Sequence, residues 1–363
     1  MLSLTHDAVI HSKKNLEKKK QPTISDVAAI AGVTSMTVSR VLNRNGYVSE
    51  ETREKVLRAI QESSYRRNGL ARGLKRQRTD TIGLILGDIA NPYAAELARA
   101  VRDVCSGKGY NLFICVSEHT AREDVAALSA LADHCVDGII VATRSNRAGD
   151  EQLLKLIESG MPVALVGRDF HHEQADWISA DNFTGGFEAT QHLIDLGHER
   201  IGFIGTSAAS GSNLKRFQGY KAALEKNNLP FEERFVTGRA VADDDAPGYS
   251  TERLGYEAMK RLLVLPNRPT AVFARNDFTA IGAVSAIKEA GLQIPQDIAI
   301  VGFDDIPLTI HTAPPLTSVR QPTRRQGQIA AEFLLRRIEA NEPLERKERV
   351  LECELIVRGS TVA

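Results

Sequence analysis

The spacing of hydrophobic residues changes once along the chain, near residue 80. Before that point, apolar residues recur at helical intervals, as in residues 24–31 and 38–42, which places them on one face of a helix. After it, short β-branched runs such as residues 82–85 and 201–204 alternate with longer amphipathic segments. The pattern therefore predicts a small helical unit followed by a larger α/β part.

The helical unit contains residues that favour helix starts and ends. Thr23 followed by Asp26 fits a capping box, and Gly32 fits a helix end. A second helix, Ser35–Asn43, follows after a short turn, and Ser49 is placed to cap a third. Since a helix, a short glycine turn and a second helix form the helix-turn-helix arrangement, we expect that motif here.

The α/β part contains seven predicted strands with helices between many of them. The strands are Thr81–Leu86, Asn111–Val116, Gly138–Ala142, Val163–Val166, Ile201–Ile204, Ala271–Ala274 and 298–301. The clearest helices are 94–107, 183–196, 216–226 and 279–290. Alternating strands and helices imply parallel sheets covered on both faces, and the pattern starts again near residue 201. We therefore expect two doubly wound lobes with a ligand cleft between them.

Charge is distributed unevenly along the chain. The 363 residues include 46 Lys+Arg and 46 Asp+Glu, a neutral total that at first argues against a nucleic-acid-binding protein. Residues 1–79, however, contain 16 basic and 7 acidic residues, which leaves 30 and 39 for the remainder. A basic head of +9 thus precedes an acidic body of −9. In residues 1–22 the lysines repel one another, so we expect a solvated leader or, alternatively, an arm for DNA.

Several functional classes are disfavoured by what the sequence lacks. Its 42% hydrophobic content is too high for a disordered chain, and no apolar run reaches the length of a signal peptide or membrane span. Four irregularly spaced cysteines indicate neither a disulfide scaffold nor a zinc site. GxGxxG, GxxxxGK[ST] and GxSxG are absent. We therefore expect a cytoplasmic protein without metal, cofactor, membrane attachment or enzymatic activity.

The helix-turn-helix residues and many later motifs resemble the LacI/GalR family of bacterial transcriptional repressors. The first matches are residues 23–28, 32–34 and 37–43. Later matches keep the family's order and spacing: Asn91-Pro92-Tyr93, Asp137-Gly138-Ile139-Ile140, Asp181-Asn182, Arg216 with Gly219-Tyr220, Asn276-Asp277 and Gly302-Phe303-Asp304-Asp305. The resemblance covers about residues 23–360. It implies an all-α helix-turn-helix domain and an α/β core of two doubly wound parallel-sheet lobes, similar to periplasmic binding protein type I.

The resemblance also implies domain boundaries. The expected parts are a flexible basic leader (1–22), a DNA-binding domain (23–67), a hinge helix or linker (68–79) and an effector-binding and dimerisation core (80–363). Within the core, the first lobe would take about residues 80–180 and 322–350, and the second about 182–319 and 352–363.

The second helix of the motif enters the major groove in this family, and its base-reading positions correspond to Ser35, Met36 and Arg40. Arg40 can donate twice to guanine O6 and N7; the alternative is that it contacts only phosphate. Met36 either meets a thymine methyl group or packs inside the domain. Phosphate contact or helix capping is the expected role of four further residues: Thr34, Thr37, Asn45 and Tyr47.

The hinge corresponds to a short helix that forms on DNA in relatives, where a pair of leucines enters the minor groove. Leu74 matches that leucine, and Lys75 begins a basic run suited to phosphates. Gly69 and Gly73 each disfavour an isolated helix by roughly 1 kcal/mol relative to alanine. We therefore expect the hinge to fold only on its operator. The alternative is a plain linker with Leu74 packed against the core.

In the core, the family's effector-binding positions correspond to Arg216, Asn276 and Asp304. A guanidinium, an amide and a carboxylate can together bind the vicinal hydroxyls of a sugar-like ligand. Each residue has an alternative role: a salt bridge for Arg216, a strand-end cap for Asn276 and a turn for Asp304. Three weaker candidates are Tyr93, Asp181 and Phe183.

Two arginines depart from the family pattern. Arg168 occupies a strand end where many relatives place an aspartate contact, and Arg275 stands where a small or neutral residue is usual. With Arg216 they would make the cleft electropositive and favour an acidic or phosphorylated sugar, unless Arg275 points into solvent. Arg168 is therefore included among the expected effector contacts.

These expectations describe a ligand-responsive repressor of transcription. As a homodimer it would place two helix-turn-helix units on the half-sites of a pseudo-palindromic operator in double-stranded DNA, with the dimer contact around helix 94–107. A small sugar or sugar derivative between the lobes would change operator affinity. A periplasmic solute-binding protein and an α/β enzyme are the alternatives. The basic head and the missing signal peptide disfavour the first, and the missing catalytic motifs disfavour the second.

Overall fold

The computed structural model describes residues 22–43, 45–65, 78–118, 120–205, 211–238, 251–340 and 342–362. Contacts divide the chain into two compact units, with the boundary between Lys75 and Arg76. The predicted leader up to residue 21 and most of the predicted hinge, including Leu74 and Lys75, lie outside the described residues. Their expected roles therefore stay predictions.

Three helices are described in the first unit: α1 (Ile24–Ala31), α2 (Ser35–Asn43) and α3 (Glu50–Ser63). The capping box is complete, because the side chains of Thr23 and Asp26 each accept a hydrogen bond from the other's backbone N–H. Gly32 ends α1 with a φ of 65°, which glycine adopts without steric cost. Val38 and Val56 are fully buried between the helices. The predicted helix-turn-helix is confirmed.

The first lobe of the second unit is built around a six-stranded parallel sheet. Its elements are β1 (Thr81–Leu86), α4 (Pro92–Gly107), β2 (Asn111–Val116), α5 (Ala121–Asp133), β3 (Gly138–Ala142), α6 (Arg147–Glu158), β4 (Val163–Val166), β5 (Ala175–Ala180), α11 (Thr323–Glu339) and β11 (Glu348–Leu351). Helices α4 and α11 pack together on one face of this sheet, where their apolar residues share a core with β1 and β3.

The second lobe repeats this construction. Its elements are α7 (Asn182–Asp195), β6 (Ile201–Ile204), α8 (Gly211–Lys226), β7 (Val236–Thr237), α9 (Thr251–Leu263), β8 (Ala271–Ala274), α10 (Asp277–Glu289), β9 (Ala299–Asp304), β10 (Thr317–Arg320) and β12 (Glu354–Ile356). Strand β12 runs antiparallel to β10, and the other described pairs in this sheet are parallel. The predicted fold class, helix-turn-helix plus two parallel-sheet α/β lobes, is confirmed.

The two sheets have the same strand order, which determines where a cleft forms. The orders are β2-β1-β3-β4-β5-β11 and β7-β6-β8-β9-β10-β12. In each sheet the winding reverses direction after the first strand of the lobe, so a crevice opens at the carboxyl ends of β1 and β3 and of β6 and β8. The chain passes between the lobes after β5, after β10 and between β11 and β12.

The hydrophobic pattern predicts seven of the twelve described strands. Six of the seven predicted strands have the predicted bounds, and the seventh, predicted at 298–301, is observed at Ala299–Asp304. The pattern does not predict β5, β7, β10, β11 or β12. Within the described residues, no helix combines the length and the apolar content that a membrane crossing requires.

Candidate functional site

A cavity of about 150 Å³ lies between the two lobes, at the carboxyl ends of their strands. Residues that follow β1, β3 and β4 line it from the first lobe, and residues of α8 or at the ends of β8 and β9 line it from the second. Its lining residues include Tyr93, Thr143, Arg144, Gly167, Ser212, Asn213, Arg216, Arg275, Asn276, Asp304 and Gln321. Four predicted effector contacts, Tyr93, Arg216, Asn276 and Asp304, are thus brought together in one place.

Arg216 is buried on α8 and holds the second-lobe wall of the cavity together. Its Nε donates to Oδ1 of Asn182 at 2.8 Å, and its Nη1 donates to the carbonyl oxygen of Arg275 at 2.5 Å. Its Nη2 lies 3.4 Å from Oδ1 of Asp304. The guanidinium also stacks on the Phe303 ring, 3.7 Å from the ring centre. Arg216 therefore has both the predicted place in the cavity and the alternative role in a salt bridge.

Close contacts between helix backbones fix the position of Arg216. A Cβ at Gly186 of α7 would collide with the carbonyl oxygen of Arg216, and a Cβ at Gly219 of α8 would collide with the carbonyl oxygen of Phe183. Helices α9 and α10 meet in the same reciprocal way through Gly255 and Gly282. Only glycine permits such an approach, so the backbone of α7 determines how far Arg216 reaches into the cavity.

Asp304 ends strand β9 at the cavity wall in an unusual backbone conformation. Its φ is 107°, a value that is costly for a residue with a Cβ and that persists only where the surrounding structure enforces it. Its Oδ1 accepts a hydrogen bond from Nε2 of Gln321 at 2.6 Å. Burial raises the pKa of Asp304 above its ordinary value, although the positive charge of Arg216 opposes this shift. The carboxylate is thus held by two donors beside the space a ligand would occupy.

Asp277 lies beneath Asp304 and is fully buried. Its Oδ1 accepts from Oγ of Ser318 at 2.5 Å, and its Oδ2 accepts from the backbone N–H of Ile306 at 2.8 Å. Burial raises the pKa of Asp277 well above its ordinary value, and the negative charge of Asp304 raises it further. Asp277 is not among the lining residues of the cavity, so its role is to support the wall that carries Asp304.

Asn276 has the cap role that was its alternative, and it also lines the cavity. Its Oδ1 accepts from the backbone N–H of Thr279 at 2.9 Å, which caps helix α10. Because the oxygen is engaged in this way, the amide nitrogen is the atom that Asn276 can offer to a ligand. A cap and a ligand contact are therefore compatible at this residue.

Tyr93 lines the cavity from the first turn of α4. Its hydroxyl donates to Oε1 of Gln326 at 2.9 Å, and burial raises its pKa. Nε2 of Gln326 in turn donates to Oε1 of Gln321 at 3.3 Å. Since Gln321 donates to Asp304, a continuous chain of hydrogen bonds joins the first-lobe and second-lobe walls. The sequence reasoning missed both glutamines, and only the position of Gln321 at a strand end could have indicated it.

Arg168 does not line the cavity, which corrects the expectation that it contacts the effector. Its side chain is fully buried within the first lobe. There its Nη1 donates to Asp124 Oδ2 at 3.0 Å and to Thr143 Oγ1 at 2.5 Å, while its Nε donates to Asp150 Oδ1 at 2.9 Å. The two carboxylates neutralise the guanidinium and hold it away from the cleft. The residue that lines the cavity instead is Arg144, which the sequence analysis did not select.

Two weaker candidates also lie outside the cavity lining. Asp181 caps helix α7, because its two carboxylate oxygens accept from the backbone N–H and the hydroxyl of Thr184, at 3.0 and 2.8 Å. Phe183 follows in the first turn of the same helix and is 42% exposed. Both residues lie where the chain crosses from the first lobe to the second, but their side chains are not among those that line the cavity.

A larger hollow of about 770 Å³ borders the same crossover from another side. It shares Tyr93, Asp304 and Gln321 with the smaller cavity. Several of its other charged lining side chains form ion pairs with one another or with nearby residues. Arg320 lies 2.8 Å from Asp305, and Arg324 also pairs with acidic side chains of α4. The strand ends and the capped helix α10 converge at the smaller cavity, which makes it the candidate ligand site.

The exposed face of α2 presents the residues predicted to read DNA. Ser35, Met36 and Arg40 are all exposed, and Met36 is 64% exposed, which rules out the alternative that it packs inside the domain. Met36 and Arg40 are four residues apart and therefore neighbours on one helix face. A methionine that can contact a thymine methyl group and an arginine that can donate to guanine, side by side on one exposed face, suit contact with base edges.

The expected phosphate contacts surround this face. Thr34 caps α2, since its Oγ1 accepts from the backbone N–H of Thr37 at 3.2 Å and lies 3.0 Å from the Thr37 hydroxyl. Capping is therefore one role of this pair. Asn45 is exposed, and Tyr47 is 93% exposed, the largest exposure among the large hydrophobic residues described. Hydroxyl and amide groups at these positions can donate to phosphates.

Comparison with known sequences matches both units. The profile described as bacterial regulatory proteins of the lacI family matches residues 23–68, and that of a periplasmic binding protein-like domain matches residues 190–361. The chain is 35% identical over 338 residues to the HTH-type transcriptional repressor PurR of Mannheimia succiniciproducens, across 93% of this chain and 98% of that protein. It is 37% identical over 342 residues to the repressor of the same name from Haemophilus influenzae, with the same coverage.

Solved structures show the same similarity. A complex of the transcriptional regulator CelR with cellobiose matches with a TM-score of 0.69 and 34% identity, covering 94% of this chain and all of that one. The Lac repressor dimer bound to operator and the anti-inducer ONPF matches with a TM-score of 0.78 and 26% identity, covering 95% of this chain and all of that one. Both matches extend over the helix-turn-helix and the two lobes.

Proposed function

Since this chain belongs to the LacI family of bacterial regulatory proteins and is a DNA-binding repressor, not an enzyme, we propose that a small sugar-like effector binds between its lobes and controls its affinity for operator DNA. The observation that carries the proposal is the meeting of Arg216, Asn276 and Asp304 in one cavity. The related regulator CelR has been solved with cellobiose, which supports a sugar as the ligand class.

The groups around the cavity suit a hydroxyl-rich ligand. Arg216 and Asn276 supply donors and Asp304 supplies acceptor oxygens, so neighbouring hydroxyls can each donate and accept. Arg144 and Arg275 line opposite walls. An acidic or phosphorylated sugar therefore stays within the proposed ligand class, even though Arg168 is bound elsewhere.

The proposed DNA contact rests on the exposed face of α2 and on charge. Ser35, Met36 and Arg40 read bases in the major groove, and the basic head attracts phosphates, with Leu74 and Lys75 of the linker contributing at the operator centre. The acidic body is repelled by the same phosphates, so it favours approach of the basic head. We place the repressor in the cytoplasm, where its operator would be.

The proposed assembly is a homodimer on a pseudo-palindromic operator. Strand β2 is the edge of the first-lobe sheet, and it exposes Phe113 and Ile114 next to helix α4. Exposed apolar side chains on an edge strand favour pairing with a second copy. An effector that changes the angle between the lobes would then alter the spacing of the two linkers and so the affinity for DNA.

The DNA contact is tested by selecting duplexes from a randomised library with the full chain. Arg40→Ala should weaken binding to the selected sequence by about 5- to 150-fold, which corresponds to about 1–3 kcal/mol, and relax the preference at one base pair. Arg58→Ala, on the exposed side of α3, is the matched control and should change affinity less than threefold. An unchanged sequence preference in Arg40→Ala would contradict base reading.

The effector is tested by thermal unfolding with a panel of neutral sugars (cellobiose, ribose), sugar acids, sugar phosphates and a purine base. A ligand at 100 times its Kd stabilises the folded state by about 2.7 kcal/mol, which gives a clear shift in unfolding temperature. Arg147→Gln, a highly exposed arginine on α6, controls for nonspecific charge effects. Stabilisation by the purine base alone would refute a sugar effector, because a flat base has no vicinal hydroxyls.

A further inference from the structure

Helix α11 connects the cavity to the point where the second unit begins. Near its first turn, the fully buried side chain of Gln326 is bonded at both ends, to Tyr93 of the first lobe and to Gln321 at the crossover. Gln321 continues to Asp304 of the second lobe. A change in the angle between the lobes must therefore break this chain of hydrogen bonds or move the start of α11.

The other end of α11 holds the chain that follows the linker. The carbonyl oxygen of Ile338 accepts from Nη2 of Arg78 at 2.6 Å. The carboxylate of Asp137 accepts from the backbone N–H groups of Thr79 and Asp80, at 2.7 and 2.9 Å. Ile338 also packs against Gly138, the residue after Asp137, so closely that a Cβ there would need the side chain to move. Arg78 is thus bonded directly to the last turn of α11, and residues 79–80 are held beside that turn through Asp137 and the contact of Gly138 with Ile338.

The helix between these two ends is suited to transmit a displacement. Twelve residues separate Gln326 from Ile338, which is about 18 Å along an α-helix. Gly327 lets α11 approach α4 so closely that a Cβ would lie 2.8 Å from the carbonyl oxygen of Leu97. Because packed interiors resist compression, we expect α11 and α4 to move as one body rather than to bend between their ends.

We propose that Gln326 couples the effector cavity to the start of the DNA-binding linker through helix α11, an inference that rests on the proposed effector function. Gln326 is a positioning residue, since it contacts the cavity wall and not the cavity itself. Its two hydrogen bonds make the position of α11 depend on Tyr93 and, through Gln321, on Asp304. A ligand that moves either wall then shifts residues 78–80, from which the linker leaves.

The first test is amide hydrogen exchange of the full chain without ligand or DNA. In Gln326→Leu, the amides of Thr79 and Asp80 should exchange at least about fivefold faster than in the wild type. Gln328→Leu is the matched control, because it changes a half-buried glutamine two residues further along α11 that accepts from Arg325 and takes no part in the chain of hydrogen bonds to Asp304; exchange at residues 79–80 should be unchanged in this variant. Acceleration confined to the surroundings of Tyr93 and Gln321 would overturn the proposal.

A second variant keeps the test decisive if Gln326→Leu fails to fold. Tyr93→Phe removes one hydroxyl and one of the two hydrogen bonds, so it should accelerate exchange at Thr79 and Asp80 by a smaller factor, with the amide of Val301 in the second lobe as internal reference. Combined with Gln326→Leu, its effect should not be additive, since both remove the same bond. No acceleration at residues 79–80 in Tyr93→Phe would overturn the coupling.

The last experiment measures operator affinity with and without the sugar that stabilises the wild type in the thermal unfolding experiment. An effector usually changes operator affinity by about 5- to 150-fold, and in Gln326→Leu this change should fall below twofold while the sugar still binds. A full response in Gln326→Leu would refute the proposal. If no sugar in the panel binds, the proposed effector function fails, whereas the exchange measurements still decide whether α11 couples its two ends.

Discussion

Two buried arginines, one in each lobe, occupy similar surroundings and have different consequences. Arg168 in the first lobe is fully enclosed and pairs with Asp124 and Asp150. Arg216 in the second lobe is almost as buried and pairs with Asp304. The carboxylates that pair with Arg168 belong to helices α5 and α6, and Arg168 reaches the cavity only indirectly, by donating to the lining residue Thr143. Arg216 lines the cavity itself, as does its carboxylate partner Asp304, so this arginine can exchange part of its hydrogen bonding with a ligand.

Burial of a charge therefore does not by itself identify a binding site. Both arginines were expected to contact the effector, and both are held by carboxylates, as buried charges must be. What distinguishes them is where the ion pair ends. The pair of Arg168 ends in the interior of one lobe, and we interpret it as structural. The pair of Arg216 ends at a space between two lobes, where its geometry can change.

The largest expected effect concerns stability in the first lobe. Arg168→Met leaves the buried carboxylate of Asp124 without its cation, so the free energy of unfolding in urea should fall by about 3–5 kcal/mol. Affinity of the folded protein for its sugar should stay within threefold of the wild type. Arg147→Met, which removes an exposed ion pair with Glu151, is the control and should cost less than about 0.5 kcal/mol. A marked loss of sugar affinity in Arg168→Met would erase the distinction between the two arginines.

The next effect concerns ligand affinity in the second lobe. Arg216→Lys keeps the positive charge but loses the planar fork that bonds Asn182 and the Arg275 carbonyl. We expect affinity for the sugar, measured by calorimetry, to fall by about 10- to 100-fold, because a hydrogen bond to a charged group contributes about 1.5–3 kcal/mol. Normal sugar affinity in Arg216→Lys, together with a loss of stability as large as that in Arg168→Met, would contradict this prediction.

The smallest effect concerns Asp277, the buried residue beneath Asp304, and the way its carboxyl makes the free energy of unfolding depend on pH. The pKa of Asp277 is raised by burial, so with rising pH the unfolded state loses this proton first. The stability contributed by the neutral carboxyl is complete below its ordinary pKa, near 4, and is lost as pH rises through the raised pKa. Asp277→Asn keeps an acceptor for the Ile306 N–H and, like the protonated carboxyl, offers a donor to Ser318. It should therefore be more stable relative to the wild type at pH 8 than at pH 4, by about 1 kcal/mol or more.

Urea unfolding at both pH values measures this difference. Asp124→Asn provides the comparison in the first lobe, because it removes the buried carboxylate that pairs with Arg168 and should lower stability at both pH values. If the stability of Asp277→Asn depended on pH in the same way as that of the wild type, the wild-type carboxyl of Asp277 would not titrate on unfolding between pH 4 and pH 8.

Much of the fold can be predicted from local sequence. Thr23 and Asp26 determine the start of α1, and continuous apolar runs determine the central strands, since both signals lie within a few residues. Strand β5 escapes prediction because it contains Asp176, a polar residue in the sequence that is fully buried in the structure. Its partners, Arg336 and Arg337, are 160 residues away along the chain, where no local pattern can indicate them.

The candidate site is less predictable, because it depends on side-chain direction. Family resemblance selects Tyr93, Arg216, Asn276 and Asp304, and the structure brings these four together. The same reasoning selects Arg168 because it follows a strand, but position at a strand end does not say which way a long side chain turns. Here two carboxylates on neighbouring helices turn it inward, and the sequence gives no sign of that pairing.

The reciprocal glycine contacts of the second lobe limit how this repressor can evolve. Arg216 and Asp304 also hold the cavity wall together, but most other lining side chains can be exchanged one at a time, since each alters mainly the contacts to a ligand. Gly186 and Gly219 cannot, because any side chain at either position separates two helices and moves Arg216 with them. A library designed to change effector specificity should therefore vary the lining residues and keep these glycines fixed. New specificities would then arise on an unchanged backbone, by substitution of side chains alone.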